Sequence, residues 1–168
     1  MSRLWDRGEP LDRVVERFTV GRDPQLDRRL AAHDALASAA HARMLASIGV
    51  LTVEDLDALL GELALVAAEA RRGTFSISLD QEDCHTAIEN RLTEVLGEVG
   101  QRIHTGRSRN DQVIAALRLY GREVVLDLVE RILVVAGALN DLAEEHRETS
   151  IPGYTHTRQA MPSTLGLL

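Results

Sequence analysis

The sequence predicts an all-α protein. Apolar residues recur at spacings of three and four in several long segments, which is the period of an amphipathic helix. The segment FSISLD, residues 75–80, is the one short piece that looks extended, and it is too brief to form a sheet of its own. A proline-free segment begins near Val113 and keeps the helical spacing to about residue 148, so as one helix it would be about 55 Å long.

The first predicted helices are separated by glycines. Residues 27–48 form an alanine-rich amphipathic pattern that ends before Gly49. Thr52 is a good N-cap for a second helix over 53–71, and Asp55 three residues later is close to a capping box. A third helix is predicted over 82–96.

The long segment predicts the beginning of a helical bundle. A small core cannot cover so long an apolar stripe, so such helices usually lie in extended bundles or between subunits. We therefore expect a helical N-terminal domain over residues 1–108, followed over 109–168 by the incomplete start of a central helical-bundle domain. Pro152 and Gly153 should end the long helix and leave Tyr154, Thr155 and His156 on a loop, with a further helix starting near Pro162. Because nothing defines an end for that helix, the chain looks like the front part of a longer protein.

Composition and charge narrow the classes of partner. The chain has 168 residues, 45% of them hydrophobic, and a formal net charge of −7, which argues against a general nucleic-acid-binding surface. A small-molecule or protein partner is favoured instead. The lone Cys84 fits a reducing compartment and gives no hint of a metal cage. The charged N-terminus lacks the apolar core of a signal peptide, and charged residues interrupt the most apolar segment, so we expect a soluble cytoplasmic protein without a membrane span.

The segment GRSRN, residues 106–110, predicts an anion-binding site. Ser108 or Asn110 can cap the long helix, whose N-terminus carries a partial positive charge and free N–H groups. Arg107 and Arg109 add guanidinium groups that grip a carboxylate through two hydrogen bonds. The alternative is an ordinary helix cap flanked by two solvated arginines.

Two further segments carry candidate chemistry. His156 on its loop is a candidate acid or base, with Thr155 as a hydrogen-bond donor, although a loop histidine taken alone is more often a surface residue. In EDCHT, residues 82–86, the acids suit the positive end of a helix dipole. Cys84 and His85 are neighbours in a helix and face different ways, which disfavours a thiol nucleophile there.

Three segments in this order and spacing resemble the argininosuccinate lyase family of the fumarase/aspartase superfamily. These are EDCHTAIENRLTE, HTGRSRNDQV and PGYTHTRQAMP. The N-terminal segments LWDRGEPLDRVVERFTVGRD and AHARMLASIGVLT are also similar to that family, so the resemblance covers nearly the whole chain.

The resemblance implies a fumarase/aspartase-like helical fold and a reversible β-elimination of argininosuccinate to arginine and fumarate without a cofactor or metal. It places the catalytic acid/base function on His156 with Thr155. It assigns substrate contacts to Ser108, Arg109, Asn110, Thr155, Asp27, Asp83 and His85. It also implies a homotetramer in which three subunits build each active site, with no nucleic acid or membrane as a partner.

The chain departs from the family pattern in several places. Asp23 stands where relatives have a serine near the substrate, and Arg158 follows the histidine loop where relatives have glutamine. The flexible loop that holds the family's catalytic serine has no counterpart in these 168 residues, so the chain alone is expected to be inactive. The alternatives are a superfamily lyase acting on adenylosuccinate, aspartate or malate, and a non-catalytic structural protein related to lens crystallins.

Overall fold

The computed structural model describes residues 12–168, with the side chains of Arg13 and Glu16 excepted. The predicted all-α class is confirmed over these residues, because helices dominate and each strand has two residues. The helices are α1 (Arg13–Val20), α2 (Asp23–Asp27), α3 (Ala31–Ser47), α4 (Val53–Arg72), α5 (Cys84–Leu96), α6 (Glu98–Gln101) and α7 (Arg109–Glu145). Short 3-10 turns cover Leu79–Gln81, Arg102–His104 and Leu165–Leu167.

The helix ends follow local chemistry, and several predicted ends are confirmed. The Thr52 hydroxyl accepts a hydrogen bond from the Asp55 amide at 3.1 Å, while the Asp55 carboxylate accepts one from the Thr52 amide at 3.2 Å. This is the predicted capping box of α4. Gly73 ends α4 in the left-handed conformation that glycine adopts without strain. The helix predicted from residue 27 begins at Ala31, because the short α2 occupies Asp23–Asp27.

The buried core lies among α3, α4 and α5. Leucine and isoleucine side chains of these three helices fill it, among them Leu45, Leu59, Leu63, Ile88 and Leu92, each 2% exposed or less. The segment predicted to be extended contributes Phe75 and Ile77 to this core without forming a sheet. The core therefore fixes the position of the first turn of α5 relative to α3.

The chain divides into two compact units, the first ending at Gly121 and the second beginning at Arg122. The domain boundary predicted at residues 108/109 coincides with the start of α7 at Arg109 and stays a prediction. Within the described residues no helix combines the length and the apolar character that crossing a membrane requires.

In the second unit, two antiparallel strand pairs follow α7. Strand β1 (Ser150–Ile151) pairs with β4 (Ser163–Thr164), and β2 (Tyr154–Thr155) pairs with β3 (Arg158–Gln159). The helix predicted near Pro162 is wrong: the backbone after this proline pairs with β1, and only one 3-10 turn follows. The segment predicted to be a loop, Tyr154 to His156, belongs to the β2–β3 hairpin, with His156 and Thr157 at its turn.

The part of α7 in the second unit exposes apolar side chains on most of its circumference. Within the described chain these side chains are between 43% and 68% exposed. They are Val124, Val125, Leu126, Leu128, Val129, Ile132, Leu133, Val134, Val135, Leu139 and Leu142. An apolar surface of this extent marks an interaction site.

Candidate functional site

Ser108 caps α7, so Arg109 and Asn110 are the first two residues of the helix. Its carbonyl accepts the Gln112 amide, and its own amide and hydroxyl donate to the Asp111 carboxylate at 3.1 and 3.0 Å. These two hydrogen bonds lower the pKa of Asp111 below its ordinary value. Of the two predicted caps, the geometry selects Ser108, and Asn110 lies inside the helix with its side chain exposed.

Arg109 is held by the beginning of α5. Its guanidinium donates through Nη1 to the Asp83 carboxylate and through Nη2 to the Thr86 hydroxyl. Asp83 is the N-cap of α5, and its other oxygen accepts the Thr86 amide at 2.7 Å and the Thr86 hydroxyl at 2.9 Å. Arg109, Asp83 and Thr86 therefore form a closed ring of hydrogen bonds. An arginine has five N–H donors, so Nε–H and one N–H on each Nη stay free of this ring.

Arg107 points in a different direction from Arg109 and is half-buried. Its Nη1 donates to the hydroxyl of Ser38 on α3 at 3.0 Å, and its Nε is buried without a hydrogen-bond partner among the described residues. Burial lowers the pKa of the guanidinium, while the charges of Asp34 and Glu89 oppose that effect. The prediction that both arginines serve one anion site therefore stays a prediction, and the geometry connects Arg107 to α3.

Glu89 on α5 joins two segments next to the α7 N-terminus. One carboxylate oxygen accepts a hydrogen bond from the side-chain Nε2 of Gln112 on α7 at 3.0 Å and lies 2.9 Å from His104 Nδ1. On the same side, His41 Nε2 lies 3.0 Å from the carbonyl oxygen of Thr105. Burial lowers the pKa of His41, which favours a neutral ring. These contacts hold the segment that carries GRSRN against α3 and α5.

His85 forms a buried ion pair with Asp34. Its Nδ1 lies 3.0 Å from Asp34 Oδ2, and the two side chains are 2% and 0% exposed. Burial disfavours the imidazolium, but the contact with Asp34 and the negative charges of Asp34, Asp83 and Asp27 outweigh it, so the pKa of His85 is raised above its ordinary value. The predicted substrate contact through His85 remains a prediction, and in this chain the ring is enclosed.

Asp27 reaches the first turn of α5 through the backbone. Its carboxylate accepts the Cys84 amide at 3.2 Å, across 57 residues of sequence. Burial raises the pKa of Asp27, and the positive charge of His85 partly reverses that shift. The structure therefore brings Asp27, Asp83, His85 and Arg109 to one place, and Ser108 and Asn110 flank Arg109 in sequence.

The ligand-type atoms of Asp34, Cys84 and His85 lie within 4.8 Å of one another, as those of a metal site do. Burial raises the pKa of the Cys84 thiol, with the neighbouring carboxylates adding to the shift, so the thiol is neutral and not a nucleophile. With His85 protonated, the surrounding charges balance, because three carboxylates then face three cations. These are Asp27, Asp34 and Asp83 against His85, Arg107 and Arg109. A divalent cation would add uncompensated positive charge in this place.

His156 and Thr155 lie in the second unit. Thr155 is the last residue of β2, His156 is the first residue of the turn, and both side chains are exposed. His156 and Thr157 have φ values of 49° and 64°, so two successive residues with side chains occupy the left-handed region. Such backbone strain is concentrated at functional sites in proteins.

Sequence reasoning missed the residues that support the site from a distance. Asp34, Ser38, Thr86 and Glu89 are partners of His85, Arg107, Arg109 and Gln112 respectively. A polar residue on the buried face of a predicted helix was the available signal: Asp34 interrupts the apolar stripe of α3 and is fully buried.

Comparison with known proteins identifies the family. A protein-family model described as "Lyase" matches residues 7–168. The chain belongs to the lyase family. An argininosuccinate lyase from Sorangium cellulosum is 47% identical over 164 residues, which are 98% of this chain and 38% of that protein. The argininosuccinate lyase from Bacteroides thetaiotaomicron is 45% identical over 166 residues, covering 99% of this chain and 37% of that protein.

This lyase-family chain thus spans a little over a third of the length of the curated relatives it matches. The family recognised from its motifs is confirmed. The structure of this chain is similar to that of β-carboxy-cis,cis-muconate cycloisomerase from Acinetobacter calcoaceticus, with a TM-score of 0.62 and 20% sequence identity. The match covers 83% of this chain and 34% of the cycloisomerase, and it confirms the helical fold.

Proposed function

We propose that this chain is the N-terminal part of an argininosuccinate lyase, which eliminates fumarate from argininosuccinate and leaves arginine. The observation that carries the proposal is the Arg109 guanidinium, held by Asp83 and Thr86 at the N-terminus of α7 with donors left over. The relatives named argininosuccinate lyase support the choice of substrate.

The α7 N-terminus suits the carboxylates of such a substrate. A helix N-terminus carries about half a positive elementary charge, and Arg109 adds a full one. The exposed side chain of Asn110 supplies a neutral donor beside it, and the exposed Ser108 hydroxyl would donate to the substrate in exchange for its hydrogen bond to Asp111. In β-elimination, negative charge develops on the carboxylate next to the carbanion, so donors fixed in advance stabilise the transition state more than the substrate.

The remaining roles extend the same proposal. Asp27 presents a half-buried carboxylate that fits the cationic guanidinium end of argininosuccinate. Asp83 acts through Arg109, and His85 lies among these carboxylates. His156 serves as the acid or base, and Thr155 beside it as a hydrogen-bond donor. No cofactor or metal takes part in the proposed reaction.

The proposed assembly is a homotetramer in the cytoplasm. The apolar side chains of α7 exposed in the second unit support it, because in water such a surface is stabilised by packing against other helices. Copies of the same helix packed as a bundle would cover it.

A chimera tests the proposal. Residues 1–168 replace the aligned segment of the Sorangium cellulosum argininosuccinate lyase, and fumarate release is followed by its ultraviolet absorbance. We expect turnover with argininosuccinate and none with adenylosuccinate, aspartate or malate. The 168 residues alone should release no fumarate, since the resemblance places the catalytic serine outside them.

Substitutions in the chimera separate the enzyme from a structural protein. Arg109→Lys should lower kcat/KM about 100-fold or more, because it removes the planar fork, and His156→Ala should lower kcat by a similar factor. Arg118→Lys is the matched control, since Arg118 is exposed on the same helix. A chimera that assembles as a tetramer but releases no fumarate from argininosuccinate would contradict the proposed function.

A further inference from the structure

The first turn of α5 is surrounded by charges from every element that packs on it. Asp34 comes from α3, Asp27 from α2, Asp83 from the N-cap, and Arg107 and Arg109 from the α7 N-terminus and the residues before it. His85 is the imidazole among them, with Nδ1 3.0 Å from Asp34 Oδ2 and the ring within the electrostatic influence of Asp27 and Asp83. Its protonation state therefore decides whether two or three cations face the three carboxylates.

Asp34 is the residue that controls this state. It is fully buried, and its Oδ2 lies 3.0 Å from His85 Nδ1, but neither carboxylate oxygen accepts a hydrogen bond of good geometry among the described residues. A buried carboxylate whose oxygens accept no hydrogen bond costs stability, and buried ion pairs seldom repay that cost. A contribution to folding therefore does not account for Asp34, whereas control of the His85 charge does.

We propose that Asp34 is a positioning residue of the lyase site, which holds His85 as an imidazolium protonated on Nδ1 beside Asp27 and Asp83. The catalytic part of this proposal rests on the proposed function. Its structural part rests on the contact between Asp34 of α3 and His85 of α5. The charge of the imidazolium favours the ionised form of Asp27, which the cationic end of the substrate requires. Loss of this charge leaves the carboxylates to repel one another and weakens substrate binding.

The structural part is tested in the 168-residue chain by ¹⁵N NMR of the histidine rings during a pH titration. His85→Gln assigns the signal by its disappearance. We expect His85 in the unsubstituted chain to carry a proton on Nδ1 and to titrate above its ordinary pKa. In Asp34→Asn the burial of the ring is no longer opposed, so the pKa of His85 should fall by about one unit or more, a tenfold loss of proton affinity.

The matched control is Asp57→Asn, which removes an exposed carboxylate from α4 and should leave the His85 titration unchanged. A His85 that titrates at or below its ordinary pKa in the unsubstituted chain overturns the proposal. The proposal is also overturned if His85 titrates with the same pKa in the unsubstituted chain and in Asp34→Asn.

The catalytic part is tested on the chimera through the pH dependence of kcat/KM. We expect an alkaline loss of kcat/KM centred on the His85 pKa found by NMR, mainly through a rise in KM. Asp34→Asn should move this loss to lower pH by the NMR shift and lower kcat/KM about tenfold at pH 8. Asp34→Glu should restore most of the kcat/KM lost in Asp34→Asn. A merely structural residue would lower activity by the same factor at every pH.

The outcomes are separable. Should Asp34→Asn fail to fold by circular dichroism, His85→Gln in the chimera decides, because it should abolish the alkaline loss. An alkaline loss that stays in place while the NMR titration moves overturns the positioning role, although the reaction itself is present. A chimera without turnover rejects the proposed function and with it the catalytic part, and NMR then decides the Asp34–His85 pair alone.

Discussion

The guanidinium of Arg109 donates a hydrogen bond to the carboxylate of Asp83, so the first residue of α7 is tied to the N-cap of α5. One carboxylate thus performs two tasks. Its first oxygen caps α5 through the Thr86 amide, and its second orients the arginine. Substitutions that separate the two tasks show how much each contributes to stability.

Asp83→Ala should lower the free energy of unfolding by about 1–2 kcal/mol, because it removes the cap and the ion pair together. Asp83→Asn keeps a good cap and loses only the charge, so it should lower the free energy of unfolding by less than half as much. Urea denaturation with linear extrapolation measures both. Equal losses for the two variants would show that the ion pair, and not the cap, stabilises this region.

Gly100 is a position where α6 approaches α5 too closely for a side chain. A Cβ there would overlap the backbone carbonyl of Leu92. Gly100→Ala should therefore lower the free energy of unfolding by about 1–3 kcal/mol, because backbone must move. The matched control is Gly61→Ala on α4, where a Cβ meets open space.

The control should raise the free energy of unfolding by about 0.5–1 kcal/mol, since alanine is the better helix former. Both values come from the same urea titrations. A Gly100→Ala chain as stable as the parent would mean that α5 and α6 are less tightly packed than the structure has them.

Local signals in the sequence were enough to predict the main helices. Thr52 with Asp55 and the glycine at position 73 act within one turn of chain, so the ends of α4 agree with the prediction. The helix predicted near Pro162 is wrong because the same local signal, a proline after a turn, also suits a strand that pairs with Ile151. Pairing over that distance leaves no mark in a short window of sequence.

The site was predictable only in its sequence-local parts. Ser108, Arg109 and Asn110 lie together because they are consecutive, and motif reasoning finds such groups. The Arg107–Ser38 hydrogen bond joins residues 69 apart, and no spacing rule connects them. The same holds for Asp34 and His85, whose contact depends on how α3 packs against α5.

Asp27 should destabilise the folded chain at neutral pH. Burial raises its pKa in the folded state, so the folded chain binds this proton more tightly than the unfolded chain does. Its favourable contribution is present at pH values below the ordinary pKa of an aspartate and is lost as the pH rises through the folded value. Asp27→Asn, which can still accept the Cys84 amide, should therefore raise the free energy of unfolding at pH 7, by less than about 1 kcal/mol.

The stability gain from Asp27→Asn should shrink as the pH falls through the raised pKa of Asp27, because the parent carboxyl is then protonated as well. Urea titrations at several pH values measure it. Asp23→Asn, on the same short helix but exposed, is the matched control and should change stability by less than about 0.5 kcal/mol. In the chimera the Asp27 variant should raise KM for argininosuccinate. A loss of stability at pH 7 would contradict the assigned effect of burial.

Thr157 should be the most strained residue of the histidine hairpin. Its φ of 64° is in the left-handed region, which a β-branched side chain disfavours by about 1–2 kcal/mol, whereas histidine at position 156 tolerates it better. Thr157→Gly removes the strain. It should slow hydrogen exchange of the Ala160 amide, which donates to the Gly153 carbonyl at 2.7 Å, by about five-fold or more per kcal/mol.

Thr164→Gly is the control for this measurement, because it places a glycine in β4, away from the turn, and should not slow that exchange. The comparison bears on function as well as on stability. A turn that keeps His156 in place despite strain at the next residue is held by its surroundings. Faster exchange at Ala160 in Thr157→Gly would mean that the threonine side chain stabilises the turn, and the interpretation of its φ as strain would be wrong.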